Sequence, residues 1–257
     1  MKITLITGAT GGLGKAFARL YAKDGNDLLL VATNQDKLNA FKKELEKEFG
    51  VFIDCYQANL ADIEECKALY RYTQEKGYFV NNLVNNAGFG DRTDFKDMDV
   101  DKQLSMVAVN CSAVLYFTRM FVTDMLKNDD GHIINVGSIA SFMPGPYMCT
   151  YHASKAFVLS LGEAIAHELR KTRVKVLTLC PGPFDSGFVS TAGNTYTFEK
   201  IKPIPAEKVA EYGYKQSKKG KRIAVVGFQN KLTVFAPRFF SRNFVTSVTA
   251  QNTKKED

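Results

Sequence analysis

Along most of the chain, short apolar runs alternate with stretches of helical spacing. Lys2–Thr7 (KITLIT) ends in a glycine-rich turn, and Phe17, Leu20 and Tyr21 then mark a helix over 15–23. A second buried-strand run, 27–32 (DLLLVA), precedes Leu38, Phe41, Leu45 and Phe49, which lie on one helical stripe. The same reading predicts strands at 51–57, 82–85, 132–136, 174–179 and 223–227. Helices are predicted at 62–76, 99–127 and 151–171. Seven apolar strands separated by helices imply βαβ units with right-handed crossovers. The expected fold is α/β: a Rossmann-type, three-layer, doubly wound architecture on a mostly parallel sheet of about seven strands.

No linker or composition shift divides the chain before about residue 185, so 1–230 is expected to be one domain. Within it, 183–205 is loop-like, and 185–205 is expected to be a substrate loop or lid. The chain has 257 residues, 45% apolar and 12% aromatic, which excludes general disorder. No uninterrupted apolar run approaches the roughly 18 residues of a membrane span, so none is expected. The N-terminal run shows no secretory signal pattern, which leads to an expected cytoplasmic location. Five scattered cysteines without a C-x-x-C spacing, and only three histidines, offer neither a disulfide frame nor a metal site.

The net charge of +7 is concentrated at one end. Residues 1–214 carry 24 Lys/Arg against 25 acids, whereas 215–257 carry ten against two. Nucleic-acid binding is not expected, because no recognition motif accompanies that charge. Residues 231–248 mix Leu232, Phe235, Phe239, Phe240, Phe244 and Val248 with Lys231, Arg238 and Arg242. They read as an amphipathic helix interrupted at Pro237, followed by a disordered tail to 257. That helix is expected to pack on the domain or a second subunit, or to lie on anionic lipid.

The turn Thr7-Gly8-Ala9-Thr10-Gly11-Gly12-Leu13-Gly14 sits between the first strand and the first helix. There it presents backbone N–H groups at a positive helix end, a site for a pyrophosphate. Tyr151 and Lys155, four apart, share one helix face. An ammonium beside a phenol favours the phenolate, so the Tyr151 pKa is expected to move down toward working pH, giving a proton donor and acceptor for a carbonyl/alcohol couple. The spacing alone is common, since Tyr72/Lys76, Tyr196/Lys200 and Tyr214/Lys218 repeat it. What sets the first pair apart is Ser138 at the carboxyl end of the fifth strand, and Asn110, a polar amide in an apolar helical stretch.

With these residues, the chain resembles the short-chain dehydrogenase/reductase family, most nearly a bacterial branch of uncertain substrate near the acyl-chain and steroid reductases. The resemblance rests on T-G-x-x-x-G-x-G at 7–14, N-N-A-G at 85–88, the Asn110, Ser138, Tyr151, Lys155 tetrad, and the P-G loop at 181–182. It implies that Tyr151 passes the proton, Ser138 hydrogen-bonds the substrate oxygen, Lys155 holds the nicotinamide ribose, and Asn110 anchors a relay water. It further implies cofactor contacts from Gly8, Thr10, Gly11, Gly12, Leu13, Gly14, Thr33, Asn34, Asn59, Leu60, Asn86, Ala87, Gly88, Tyr151, Lys155, Pro181 and Gly182. Ala32 stands where NAD users carry an acid, which favours NADP(H). Thr33 and Gly11 supply no cation for a 2′-phosphate, so NAD(H) stays open. The usual third-strand Asp is Asn59.

Phe142, Met143, Pro144, Met148, Phe184 and Phe188 suggest an apolar wall for a medium-to-large carbonyl or alcohol substrate. By the same resemblance a homodimer or homotetramer is expected. The function expected is that of an NAD(P)(H)-dependent carbonyl reductase or alcohol dehydrogenase. A non-catalytic nucleotide sensor on the same fold is the alternative.

Overall fold

The computed structural model describes residues 1–184 and 203–254. Seven strands form one sheet in the order β3-β2-β1-β4-β5-β6-β7. They are β1 (Lys2–Thr7), β2 (Leu28–Ala32), β3 (Ile53–Gln57), β4 (Phe79–Asn85), β5 (Gly131–Val136), β6 (Val174–Cys180) and β7 (Ile223–Val225). Every pairing is parallel. Strand order reverses between β1 and β4, which opens a crevice at their carboxyl ends.

β2 shows why these strands read as unbroken apolar runs. Leu28 and Leu30 join one core cluster, while Leu29 and Val31 join the other. Both faces are covered, so no position is left for a polar residue. On the first face lie α1 (Gly12–Lys23), α2 (Gln35–Phe49) and α7 (Ala206–Lys218), with Phe17, Phe41 and Val209 in its core. On the second lie α3 (Ile63–Glu75), α5 (Val114–Lys127) and α6 (Cys149–Glu168), centred on Leu69, Phe117 and Phe121. Truncating a buried ring such as Phe117 to Ala would cost about 3–5 kcal/mol.

Local signals place the helix ends. Asn34 Oδ1 accepts from Lys37 N at 2.8 Å to start α2, and Gly50 closes it at φ 69°. Asp62 and Asp99 cap α3 and α4 (Val100–Val107) in the same way.

The single helix expected at 99–127 is instead three pieces in line: α4, a π-helical segment Ala108–Ala113, and α5. By length and composition alone the rod Val100–Lys127 matches a membrane-crossing helix, a test that a half-buried core helix also meets. An uninterrupted-run criterion misses it because polar residues punctuate it. Its inner side, through Phe117, Phe121 and Met125, is buried in the second core cluster.

The C-terminal segment begins earlier than expected, at Phe228, and folds as α8 (Phe228–Phe235), a 3-10 turn Ala236–Phe239 and α9 (Arg242–Thr253). Pro237 ends the first helix, as its ring requires. Residues 185–202, most of the expected lid, lie outside the described residues. So do Phe188, the Tyr196/Lys200 pair and the last three residues of the tail. Phe184 and Ile204, on either side of that stretch, form a parallel bridge.

Candidate active site

A cavity of about 1110 Å³ occupies the crevice at the carboxyl ends of β1 and β4. At one end it is floored by the glycine turn. Gly8 takes φ 64°, where a Cβ would also fall 2.9 Å from Ala87 Cα and from Asn86 Nδ2. Gly11 caps α1 without a side chain, and the first turn of α1 holds no acid. Among the described residues, the N–H groups at this helix end therefore meet neither a side-chain cap nor a first-turn carboxylate, and Gly11, Gly12 and Leu13 line the cavity.

Thr7 and Asn86 stitch the turn to β4. Thr7 Oγ1 accepts from the Asn86 and Ala87 amides, both at 3.0 Å, and Asn86 Nδ2 donates to the Thr7 and Gly8 carbonyls at 2.9 and 3.1 Å.

At the other end, Ser138 follows β5 and caps a 3-10 turn, Ile139–Phe142, its Oγ accepting from Ala140 N at 3.1 Å. The Ser138 and Tyr151 side chains are hydrogen-bonded to each other. Lys155, one turn after Tyr151 on α6, is buried, and its Nζ donates to the Val136 carbonyl at 2.8 Å. That Nζ lies 5.8 Å from the centre of the Tyr151 ring.

Burial pushes the Lys155 ammonium down to about 8. Burial likewise pushes the Tyr151 phenol up to about 12, against the Ser138 hydrogen bond, which pulls it down. The expectation of a lowered Tyr151 pKa is thus corrected: removal from water raises it, and the lowering influence on it is the Ser138 hydrogen bond.

Of the expected cofactor contacts, Gly8, Thr10, Gly11, Gly12, Leu13, Thr33, Asn59, Leu60, Asn86, Ala87, Gly88, Tyr151, Lys155, Pro181 and Gly182 all line this cavity, together with Ser138. Three expected site residues do not, and each has a physical reason. A Cβ on Gly14 would stand 2.2 Å from the Gly8 carbonyl, so Gly14 lets α1 close on the turn instead of facing the cavity. Asn34 uses its side chain to cap α2. Asn110 is fully buried in the π-helical segment. Its Oδ1 accepts from Phe89 N at 3.1 Å, and its Nδ2 donates to Phe89 O and Ser154 Oγ at 2.9 and 3.0 Å. Asn110 is therefore a positioning residue that fixes the loop after β4.

On the expected substrate wall, Met148 and Phe184 line the cavity, whereas Phe142, Met143 and Pro144 do not. His152 pins that segment, its Nδ1 lying 2.8 Å from the Met143 carbonyl. Phe89, Val109 and Ile139 complete the apolar side instead.

Sequence reasoning also missed Lys15, an exposed cation at the glycine-turn end of the cavity. Its Nζ lies 5.3 Å from the centre of the Phe41 ring. Its place in the first turn of α1, directly after Gly14, was the available signal. Among the described residues, no group of three or more His, Cys, Asp or Glu is arranged to hold a metal.

The profile of the short chain dehydrogenase family matches residues 2–197. An uncharacterized oxidoreductase of Staphylococcus aureus (strain MRSA252) is 30% identical over 217 residues, covering 84% of this chain and 92% of that protein. In three dimensions the chain is similar to a short-chain dehydrogenase from Sphingobium yanoikuyae in complex with NADPH, with TM-score 0.84, 24% identity and 93% of each chain covered. It is also similar to a 7β-hydroxysteroid dehydrogenase, with TM-score 0.88, 23% identity and 96% of each chain covered. These last two likenesses establish the fold. The family profile, joined to the curated relative, establishes more: this chain is an oxidoreductase that belongs to the short-chain dehydrogenase family.

Proposed function

We propose that the protein is an NADP(H)-dependent carbonyl reductase or alcohol dehydrogenase, with Tyr151 as the group that moves the proton. The observation that carries this reading is the paired Ser138 and Tyr151 hydroxyls in the same cavity as the bare glycine turn, with Lys155 behind the phenol.

A dinucleotide suits the donors present. The uncapped start of α1 and the Gly8 cradle would take the pyrophosphate. Leu60 and Ala87 offer apolar walls on the adenosine side, and Pro181 and Gly182 border the nicotinamide end. The end of β2 carries no acid, and Lys15 supplies the cation missing from Thr33. Together they favour a 2′-phosphate over a bare 2′-hydroxyl. The NADPH bound in the Sphingobium relative is consistent with that choice.

The nicotinamide, when bound, supplies hydride for reduction and accepts it in oxidation. Ser138 Oγ and the Tyr151 hydroxyl would then both contact the substrate oxygen. With its pKa pushed up to about 12, the Tyr151 hydroxyl is protonated at neutral pH and ready to donate as that oxygen gains charge. Lys155 would hold the ribose hydroxyls and steady the phenolate left behind. Apolar walls from Phe89, Val109, Met148 and Phe184 suit a medium-to-large carbonyl compound with little polarity to recognise.

The test is a panel of bulky apolar ketones and aldehydes with NADPH, following NADPH consumption in the native chain and in Tyr151→Phe. Turnover by the native chain that the variant loses supports the reading. Equal turnover by both overturns it.

A further inference from the structure

The C-terminal helices are turned inside out. Phe228, Leu232, Phe235 and Phe239 recur at intervals of four, three and four, which puts them on one stripe of α8 and the turn after it. That stripe faces solvent: Phe228 is 74% exposed and Phe239 71%. Phe244 and Val248 of α9, with Phe240 just ahead of it, make a second apolar strip, and each is also exposed. The side of α9 that faces the body of the protein is Val245, Thr249 and Thr253. Arg92, buried in the loop after β4, donates to the carbonyls of Thr253 and Lys254 and clamps the end of that helix. A helix of a water-facing surface packs its phenylalanines inward and its threonines outward, whereas here the arrangement is reversed and held in place.

The charge around these stripes has one sign. From Phe228 to Lys254 the charged residues are Lys231, Arg238, Arg242 and Lys254, all basic. Arg238 stacks on Phe235, 5.6 Å from the ring centre, and Arg242 opens α9 between the exposed Phe240 and Phe244. Exposed aromatic rings with arginines between them match the boundary of an anionic bilayer, where rings enter the acyl region and cations meet phosphates. A second copy of the same face would bring cation against cation, which disfavours self-pairing there.

We propose that α8, the 3-10 turn and α9 form a docking face for an anionic lipid bilayer. Asn230 of α8 lies directly against Gly182, where an added Cβ would come within 2.4 Å of its Nδ2. The side of α8 opposite the phenylalanine stripe therefore packs on the Pro181–Gly182 end of the cavity, and the stripe itself points away from it.

Full-length protein floated with vesicles of phosphatidylcholine and phosphatidylglycerol, and with phosphatidylcholine alone, tests this. Expected is flotation with the anionic vesicles only, declining as sodium chloride is raised. Arg238→Glu/Arg242→Glu should weaken the partition at least about tenfold, since each basic residue near such a surface contributes about fivefold. Phe235→Ser/Phe239→Ser should weaken it as strongly, with both variants keeping the native melting temperature because the altered groups are exposed. Three results each overturn the proposal: no flotation with anionic vesicles, flotation indifferent to these substitutions, or a protein dimer in sedimentation that the phenylalanine variants dissociate while vesicles bind nothing.

Discussion

The Asn110 side chain clasps the backbone of Phe89 at both of its polar groups, Oδ1 accepting from the amide at 3.1 Å and Nδ2 donating to the carbonyl at 2.9 Å. The clasp crosses from the π-helical segment to the loop that follows Gly88, next to Lys155. An Asn110→Leu substitution fills the volume and leaves both Phe89 groups without partners. Phe89 is half-buried, and a polar group deprived of its partner where water is largely excluded costs about 1–3 kcal/mol. Urea unfolding should show a loss on the order of 2 kcal/mol or more, accompanied by weaker NADPH binding. An unchanged midpoint would show that the loop holds itself.

The glycine turn separates two effects that are usually confounded. Gly14→Ala forces a Cβ to within 2.2 Å of the Gly8 carbonyl, although Gly14 is not part of the cavity wall. It should cost about 1–3 kcal/mol of stability by overpacking. At Gly11 the added Cβ meets only an ordinary contact, 3.5 Å from the same carbonyl, but the residue lines the cavity. Gly11→Ala should keep the melting temperature and lose NADPH affinity. Thermal melting with and without NADPH reads both.

Much of this was legible in the residues. The strand order and two-sided burial follow from unbroken runs such as Leu28–Ala32 between helical stretches. The motif residues at both ends of the crevice came together because each sits at the end of a strand or in the first turns of a helix. What escaped depends on groups distant in sequence. Nothing in the residues 107–111 says that the helix widens there to aim Asn110 at Phe89. Nor does spacing reveal that burial sets the Tyr151 pKa, since that depends on how much water the folded wall removes. The stripe of Phe235 and Phe239 was plain in sequence, but only the fold shows it facing out.

Cofactor choice turns on Lys15. Replacing it by Ala should raise the NADPH dissociation constant roughly tenfold or more, the scale of one lost charge-assisted contact, and leave NADH binding nearly unchanged. Titration of the native and variant chains with each nucleotide measures this. A loss shared equally by both nucleotides would move Lys15 away from the 2′-phosphate.

Two shifted groups define the pH profile. Tyr151, pushed up to about 12, keeps its proton throughout the neutral range, so the acid for reduction is always present. Lys155, pushed down to about 8, loses its charge above that pH. Reduction should therefore be level below about pH 8 and fall above it, and Lys155→Met should be slower with no inflection near 8. Stability has its own sign. The unfolded lysine titrates near 10.4, so between about 8 and 10.4 the unfolded chain holds more protons, and stability from this group rises with pH. The stability difference between Lys155→Met and the native chain should accordingly move in favour of the native chain from pH 7 to pH 10.

The central claim is that the Tyr151 hydroxyl delivers the proton in reduction. Single-turnover reduction of a bulky ketone by protein saturated with NADPH, native against Tyr151→Phe, tests it most directly. The account predicts a fall of roughly 10²–10⁴ in rate, the range of general-acid contributions, with NADPH binding and melting temperature preserved. A variant that turns over at the native rate while still binding NADPH would contradict it.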